Sequence, residues 1–117
     1  MTSKEEVIIM TNGQQTIKKI HILDKLYQDG YRSNTVDATI DKLIAIERIQ
    51  IQQETESLTA SLAGFEKHYG LSSKLFFEKF QSGQMGDDAD MFEWSAIYQM
   101  WQDASKRLRH LKMDALL

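Results

Sequence analysis

From Asn34 to Tyr69 the sequence contains nothing that must stop an α-helix, and this run constrains the rest of the chain. There is no proline anywhere, and the run holds a single glycine, Gly64. Proline removes a backbone donor and clashes with the preceding turn, so its absence permits helices of unusual length. Ser33 or Asn34 is suited to cap the start, Asp37 falls in the first turn where a carboxylate opposes the helix dipole, and Gly70 supplies a stop. Such a helix would span roughly 54 Å at 1.5 Å per residue. A globular domain of this chain length is only about 35 Å across. The helix must therefore protrude, bend or lie against a second molecule.

Placed at 100° intervals, Val36, Ile40, Leu43, Ile44, Ile51, Leu58, Leu62, Phe65 and Tyr69 gather into one stripe. Ile44, Ile51, Leu58 and Phe65 repeat every seventh residue, as a coiled-coil seam does. Glu47 and Glu54 interrupt that seam, which argues against a simple zipper. Ile46 and Ile49 project from the opposite side, so the middle of the helix is apolar on two faces and is expected to touch two neighbours. Because Ile44, Ile46, Ile49 and Ile51 are β-branched and partly alternate, a local strand is the competing reading, with helix preferred.

Shorter elements flank this one. From about Thr16, Ile17, Ile20, Leu23, Leu26 and Tyr27 line one side of a helix that Gly30 ends. Residues 1–15, with Val7-Ile8-Ile9-Met10 followed by Thr11-Asn12-Gly13, read as a flexible arm or an edge strand running into a turn. After Gly70, Ser72-Ser73 introduces a short helix with Leu75, Phe76, Phe77 and Phe80, which Gly83 ends. The last helix follows Asp87-Asp88 and carries Met91, Trp94, Ile97, Tyr98, Trp101, Leu108 and Leu111 on a broad face, with Phe92 and Met100 beside or behind it. Its acids stand at the start and its bases at the end, as the dipole favours. The expected fold is all-α: one long central helix packed with two or three shorter helices in a single domain over 16–117.

Composition excludes several classes of function. With 117 residues, 42% of them apolar and 26% charged, there is material for one core. Small chains leave much apolar surface uncovered, so a homodimer or higher oligomer is a natural expectation. No cysteine is present, which removes disulfides, thiolate nucleophiles and cysteine-ligated zinc. No apolar run exceeds four residues, as at Val7–Met10, too few for a signal peptide or a membrane span. A cytoplasmic location is expected. The net charge of −3 is spread along the chain, so nucleic-acid binding by this chain alone is not expected. Lys106, Arg107, Arg109 and Lys112 form a basic group, but at a helix end they complement the dipole.

Among candidate sites, Asp87, Asp88 and Asp90 with Glu93 could gather around a divalent metal. The glycine and terminal glutamate of a calcium loop are missing at the required offsets, and helix capping explains the acids more simply. His21, His68 and His110 are far apart and form no helical metal pair. Ser72 and Ser73 lack the nucleophile elbow that would activate them. No phosphate-binding glycine loop is present. Trp94, Tyr98 and Trp101 at helical spacing fill a core, or alternatively form an interface hot spot or a stacking platform for bases. Catalysis, metal and cofactor are accordingly not expected.

The block Phe65–Met100 adds a resemblance. Phe65, Glu66, Tyr69, Gly70, Leu71, Ser72 and Ser73, then Phe80, Gly83, Gly86, Asp87 and Asp88, then Phe92, Glu93, Trp94 and Tyr98, form a pattern similar to one in small helical bacterial proteins encoded beside small toxins. It resembles the antitoxins of type II toxin–antitoxin pairs over about a third of the chain. The resemblance implies an intracellular protein that neutralises a partner toxin by occupying its surface, and that helps repress its own operon; it carries no residue-level contacts. A mildly acidic chain suits a basic partner. The alternative is a homo-oligomeric helical scaffold or regulator without a toxin. The expected partner or dimer surface comprises Ile40, Ile44, Ile46, Ile49, Ile51, Phe92, Trp94 and Trp101, and the expected helix caps are Ser33, Ser72, Asp87 and Asp88.

Overall fold

The computed structural model describes residues 12–113, and these form four α-helices: α1 (Asn12–Gln28), α2 (Asn34–Tyr69), α3 (Ser73–Gln81) and α4 (Ala89–Leu111). The chain is all-α, and the long helix runs its full 36 residues. Ile44 to Ile51 are helical throughout, so the β-branched stretch forms no strand. Asn12 and Gly13, which suggest a hairpin turn in the sequence, instead lie inside α1. Gly13 does not take the positive φ that such a turn requires, and Thr16 Oγ1 donates to Asn12 O at 3.0 Å, tying the first helical turn together. Of the arm or edge strand expected over 1–15, residues 12–15 are helical, and the rest lies outside the described residues.

Where the sequence leads to one helical domain over 16–117, the packing falls into two compact units divided between Thr39 and Ile40, within α2. In the first unit no residue of α1 is buried. Its order comes from the turn. Gly30, at φ 98°, takes the left-handed conformation that only glycine adopts without strain, so Gly30 N–H reaches Tyr27 O and Tyr31 N–H reaches Leu26 O. The Tyr27 hydroxyl donates to Asp37 Oδ1 at 2.7 Å and accepts from Ser33 N–H at 3.1 Å. Arg32 lies over the Tyr27 ring, 5.1 Å from its centroid, and donates to the Tyr27 and Tyr31 carbonyls. Ser33 Oγ accepts from Val36 N–H at 3.3 Å, the expected cap of α2.

The second unit contains the core. Here α2 and α4 run antiparallel, as a ladder of side-chain contacts shows. Tyr69 O–H donates to Asp90 Oδ2 at 2.7 Å, Phe65 stacks on Trp94, Trp101 Nε1 donates to Thr59 Oγ1 at 3.0 Å, and Arg48 reaches Leu111 O. Leu62, Phe76, Met91, Trp94 and Tyr98 are buried together, with Phe65, Leu71, Phe77, Phe80, Met85, Ile97 and Trp101 packed around them. At nine residues α3 is too short to be stable alone. It is held by Phe76, which lies nearly parallel to Trp94 with centroids 3.8 Å apart and no exposed surface. Burying such a ring stabilises by about 1.5–3 kcal/mol.

Two polar anchors fix α3. Trp94 Nε1 donates to Ser73 Oγ at 2.9 Å, and Ser73 N–H donates to Glu66 Oε2 at 2.8 Å. The Glu66 carboxylate thus sits on the positive end of α3 from a neighbouring helix, while Ser72 Oγ takes Leu75 N–H at 3.2 Å as the expected cap. The acids before α4 behave differently. Asp88 occupies the cap position, yet its side chain makes no capping hydrogen bond, and Asp87 lies one residue outside it. Both acids still stand at the end of α4 where the dipole favours a carboxylate. Asp90 is engaged by Tyr69 instead.

Candidate protein-docking surface

The distribution of burial along the chain locates the site. From Asn12 to Ser61 no residue is buried, and Leu62 is the first that is. That stretch nevertheless carries Ile17, Ile20, Ile22, Leu26, Ile40, Leu43, Ile46 and Ile49, all exposed. In the second unit, Ile40, Leu43, Ile46 and Ile49 follow one another at intervals of three, each between 40% and 58% exposed. At 100° per residue, successive members shift by 60° around the helix. The four therefore form a diagonal ridge of the kind that packs into the groove of another helix.

The expected interface residues divide accordingly. Ile40, Ile46 and Ile49 lie on the ridge, and Leu43, not among them, joins it. Its i+3 relation to Ile40 and Ile46 is visible in the sequence once the second face is drawn as a diagonal. Ile44 and Ile51 are half-buried on the same stripe as Leu58, Leu62 and Phe65, the stripe that meets α4. Phe92 is exposed on α4, where its ring packs edge-on against Phe80 with centroids 5.6 Å apart. Trp101 is half-buried and hydrogen-bonded to Thr59. Trp94 does not belong to the surface: with no exposed area, rings stacked on it from α2 and α3, and its N–H taken by Ser73, it is the centre of the core.

Arg48 is a structural residue that sequence reasoning missed. Its Nε and Nη2 donate to Leu111 O at 3.1 and 2.7 Å, so the guanidinium closes the C-terminal end of α4. It satisfies a carbonyl without an intrahelical partner and places a cation at the negative pole. The only advance signal was a cation on the stripe side of α2. Its pairing depends on a residue 63 positions away.

The concave features of the second unit are shallow. One depression of about 330 Å³ lies between Ser61, Gly64, Phe65, His68, Tyr69 and Asp90. Another of about 340 Å³ lies between Thr59, Leu62, Glu66, Ser72, Ser73, Lys74, Tyr98 and Trp101. In the second, Ser72, Ser73, Glu66 and Thr59 already serve as caps or as acceptors for the tryptophans. Among the described residues no three His, Asp or Glu side chains come together as a metal site would require, and no helix is long and apolar enough to cross a membrane.

Two tyrosines are perturbed. Tyr69 is held above its ordinary value of 10.0, chiefly because it donates to the Asp90 carboxylate and also through loss of solvent. Tyr27 is raised for the same reasons by Asp37. Both phenols are neutral hydrogen-bond donors at neutral pH; Tyr27 ties the turn between α1 and α2, and Tyr69 joins the end of α2 to the start of α4.

No protein-family model matches the chain, and no solved structure matches it.

Proposed function

We propose that this chain is a protein-binding module that acts through the exposed ridge of α2, and that it serves as the antitoxin of a bacterial toxin–antitoxin pair in the cytoplasm rather than as a catalyst. The observation that carries the binding role is the run of fifty positions, 12 to 61, without one buried side chain despite eight exposed isoleucines and leucines. Exposed apolar residues arranged contiguously on a helix mark a docking site, and a helix laid into a groove is read through anchors at such spacing. The choice of a toxin as partner rests on the resemblance of Phe65–Met100. In this reading the Phe65–Met100 block is the folded support, and the exposed ridge from Ile40 to Ile49 is left to cover a partner.

Co-expression with the product of the adjacent gene tests the proposal. A complex that co-purifies, together with restored growth of cells making the toxin, is the expected result. Ile46→Asp with Ile49→Asp should abolish both while leaving the thermal transition of the purified chain in place, since neither residue is in the core. Growth inhibition that persists with the wild-type chain would refute the toxin assignment, and a complex indifferent to the double substitution would refute the ridge.

A further inference from the structure

We infer that the depression lined by Tyr98, between α2, α3 and α4, binds a small aromatic monocarboxylate, held by the Tyr98 hydroxyl and the Lys74 ammonium with its ring against Trp101 and Leu62. The observation that points to a ligand is Tyr98 itself. Only 7% of its surface is exposed, yet no described residue hydrogen-bonds its hydroxyl. Among the described residues no buried side-chain oxygen or nitrogen lacks a partner, so this hydroxyl is the part of Tyr98 that still meets solvent. A tyrosine buried almost to its tip normally has a protein partner there. Here the tip is left to the hollow that the side chain lines, whose volume of about 340 Å³ falls in the range of small-molecule sites.

The rest of the lining selects the ligand. At the start of α3, Ser73 N–H is taken by Glu66, Leu75 N–H by the Ser72 hydroxyl and Phe76 N–H by the Ser72 carbonyl, so the hollow is not a phosphate site built on a helix terminus. What it keeps for a ligand is the Tyr98 hydroxyl and one exposed cation, Lys74. The first turn of α3 holds no acid, and Lys74 stands there against the helix dipole, a placement that a bound anion relieves. A carboxylate satisfies both groups, since each of its oxygens accepts. Glu66 on the same wall sets a negative charge against any dianion. The apolar wall is flat: half-buried Trp101 stacks on Tyr98 with centroids 5.8 Å apart, and buried Leu62 lines the same hollow. A planar ring suits that wall, because aromatic pairs gain from such geometry beyond the area they bury.

Titration of the purified full chain with 2-naphthoate, followed by NMR at the Trp101 indole N–H, tests this without any partner protein and so independently of the toxin assignment. A saturable shift is expected, with a roughly millimolar dissociation constant, the affinity that a ligand of this size reaches at ordinary efficiency. Tyr98→Phe and Lys74→Gln should each weaken binding about tenfold, and the uncharged 2-naphthamide should bind more weakly than the acid by a similar factor. Tyr98→Phe should leave the melting temperature unchanged or raised, because the hydroxyl it removes bonds nothing in the protein. A fall in melting temperature would show that the hydroxyl holds the fold, and would overturn the inference. So would a Trp101 signal that stays in place at millimolar naphthoate, binding indifferent to either substitution, equal binding of the amide, or displacement of naphthoate by inorganic phosphate at equal concentration.

Discussion

Trp94 is the residue on which the second unit turns. Phe65 and Phe76 stack on its ring, and its single polar atom is satisfied by a buried serine hydroxyl, so its position is fixed by packing and by one hydrogen bond at once. Ser73→Ala removes the acceptor and leaves a buried N–H unpaired. It should destabilise by about 1–3 kcal/mol in chemical denaturation. Adding Trp94→Phe should make the second loss smaller than it is in the wild-type background, a coupling that a double-mutant cycle measures. Tyr69 allows a test by pH. Its folded-state pKa lies above that of the unfolded chain because Asp90 accepts its proton. The folded protein therefore holds that proton more tightly, and the contribution is complete below pH 10 and lost as pH rises through the folded value. Melting temperature should fall on the alkaline side of pH 10, and Tyr69→Phe should flatten that part of the profile.

At the scale of elements, the four helices differ in what holds them. Each of α3 and α4 buries side chains, whereas α1 buries none and relies on its turn. A 17-residue helix without tertiary support is marginal in water. Amide hydrogen exchange at low protein concentration should therefore be much faster in α1 than in the middle of α4. Equal protection in the two helices would contradict the account of α1 as an uncovered element. Helix α2 offers the opposite experiment. Gly64 lies in its interior without a positive φ, and a β-carbon added there would meet nothing within 4 Å. Gly64→Ala should raise stability by about 0.5–1 kcal/mol, seen as an increase in melting temperature, by restricting the unfolded chain.

For the whole molecule, the contrast is between a second unit with its own core and a stretch of helix that has apolar residues but no core. Free energy favours covering the latter. The α2 ridge is purely aliphatic, the character of a surface that packs into the groove of another helix. Binding a partner at the ridge should raise the melting temperature in proportion to the logarithm of partner concentration. The absence of such a shift with Ile46→Asp and Ile49→Asp would tie the effect to that surface.

Much of this architecture was legible in the residues themselves. The missing prolines, the glycines at 30, 70 and 83, and the serines at 33 and 72 mark where helices stop and start, because those signals act through the local backbone and need no distant partner. The apolar stripe of α2 likewise declared its two faces. Tertiary structure decided which apolar residues are used. Trp94 and Trp101 look alike in sequence, yet one became the core and the other a half-exposed rim, and Ile44 and Ile46 parted in the same way. Burial depends on which helix arrives to cover a face, and that is set by contacts such as Arg48 with Leu111 and Glu66 with Ser73, which local periodicity does not encode. Asp88 shows the converse. Its type and place were those of a cap, but the side chain made no capping bond and left the neighbouring Asp90 to be held by a tyrosine from another helix.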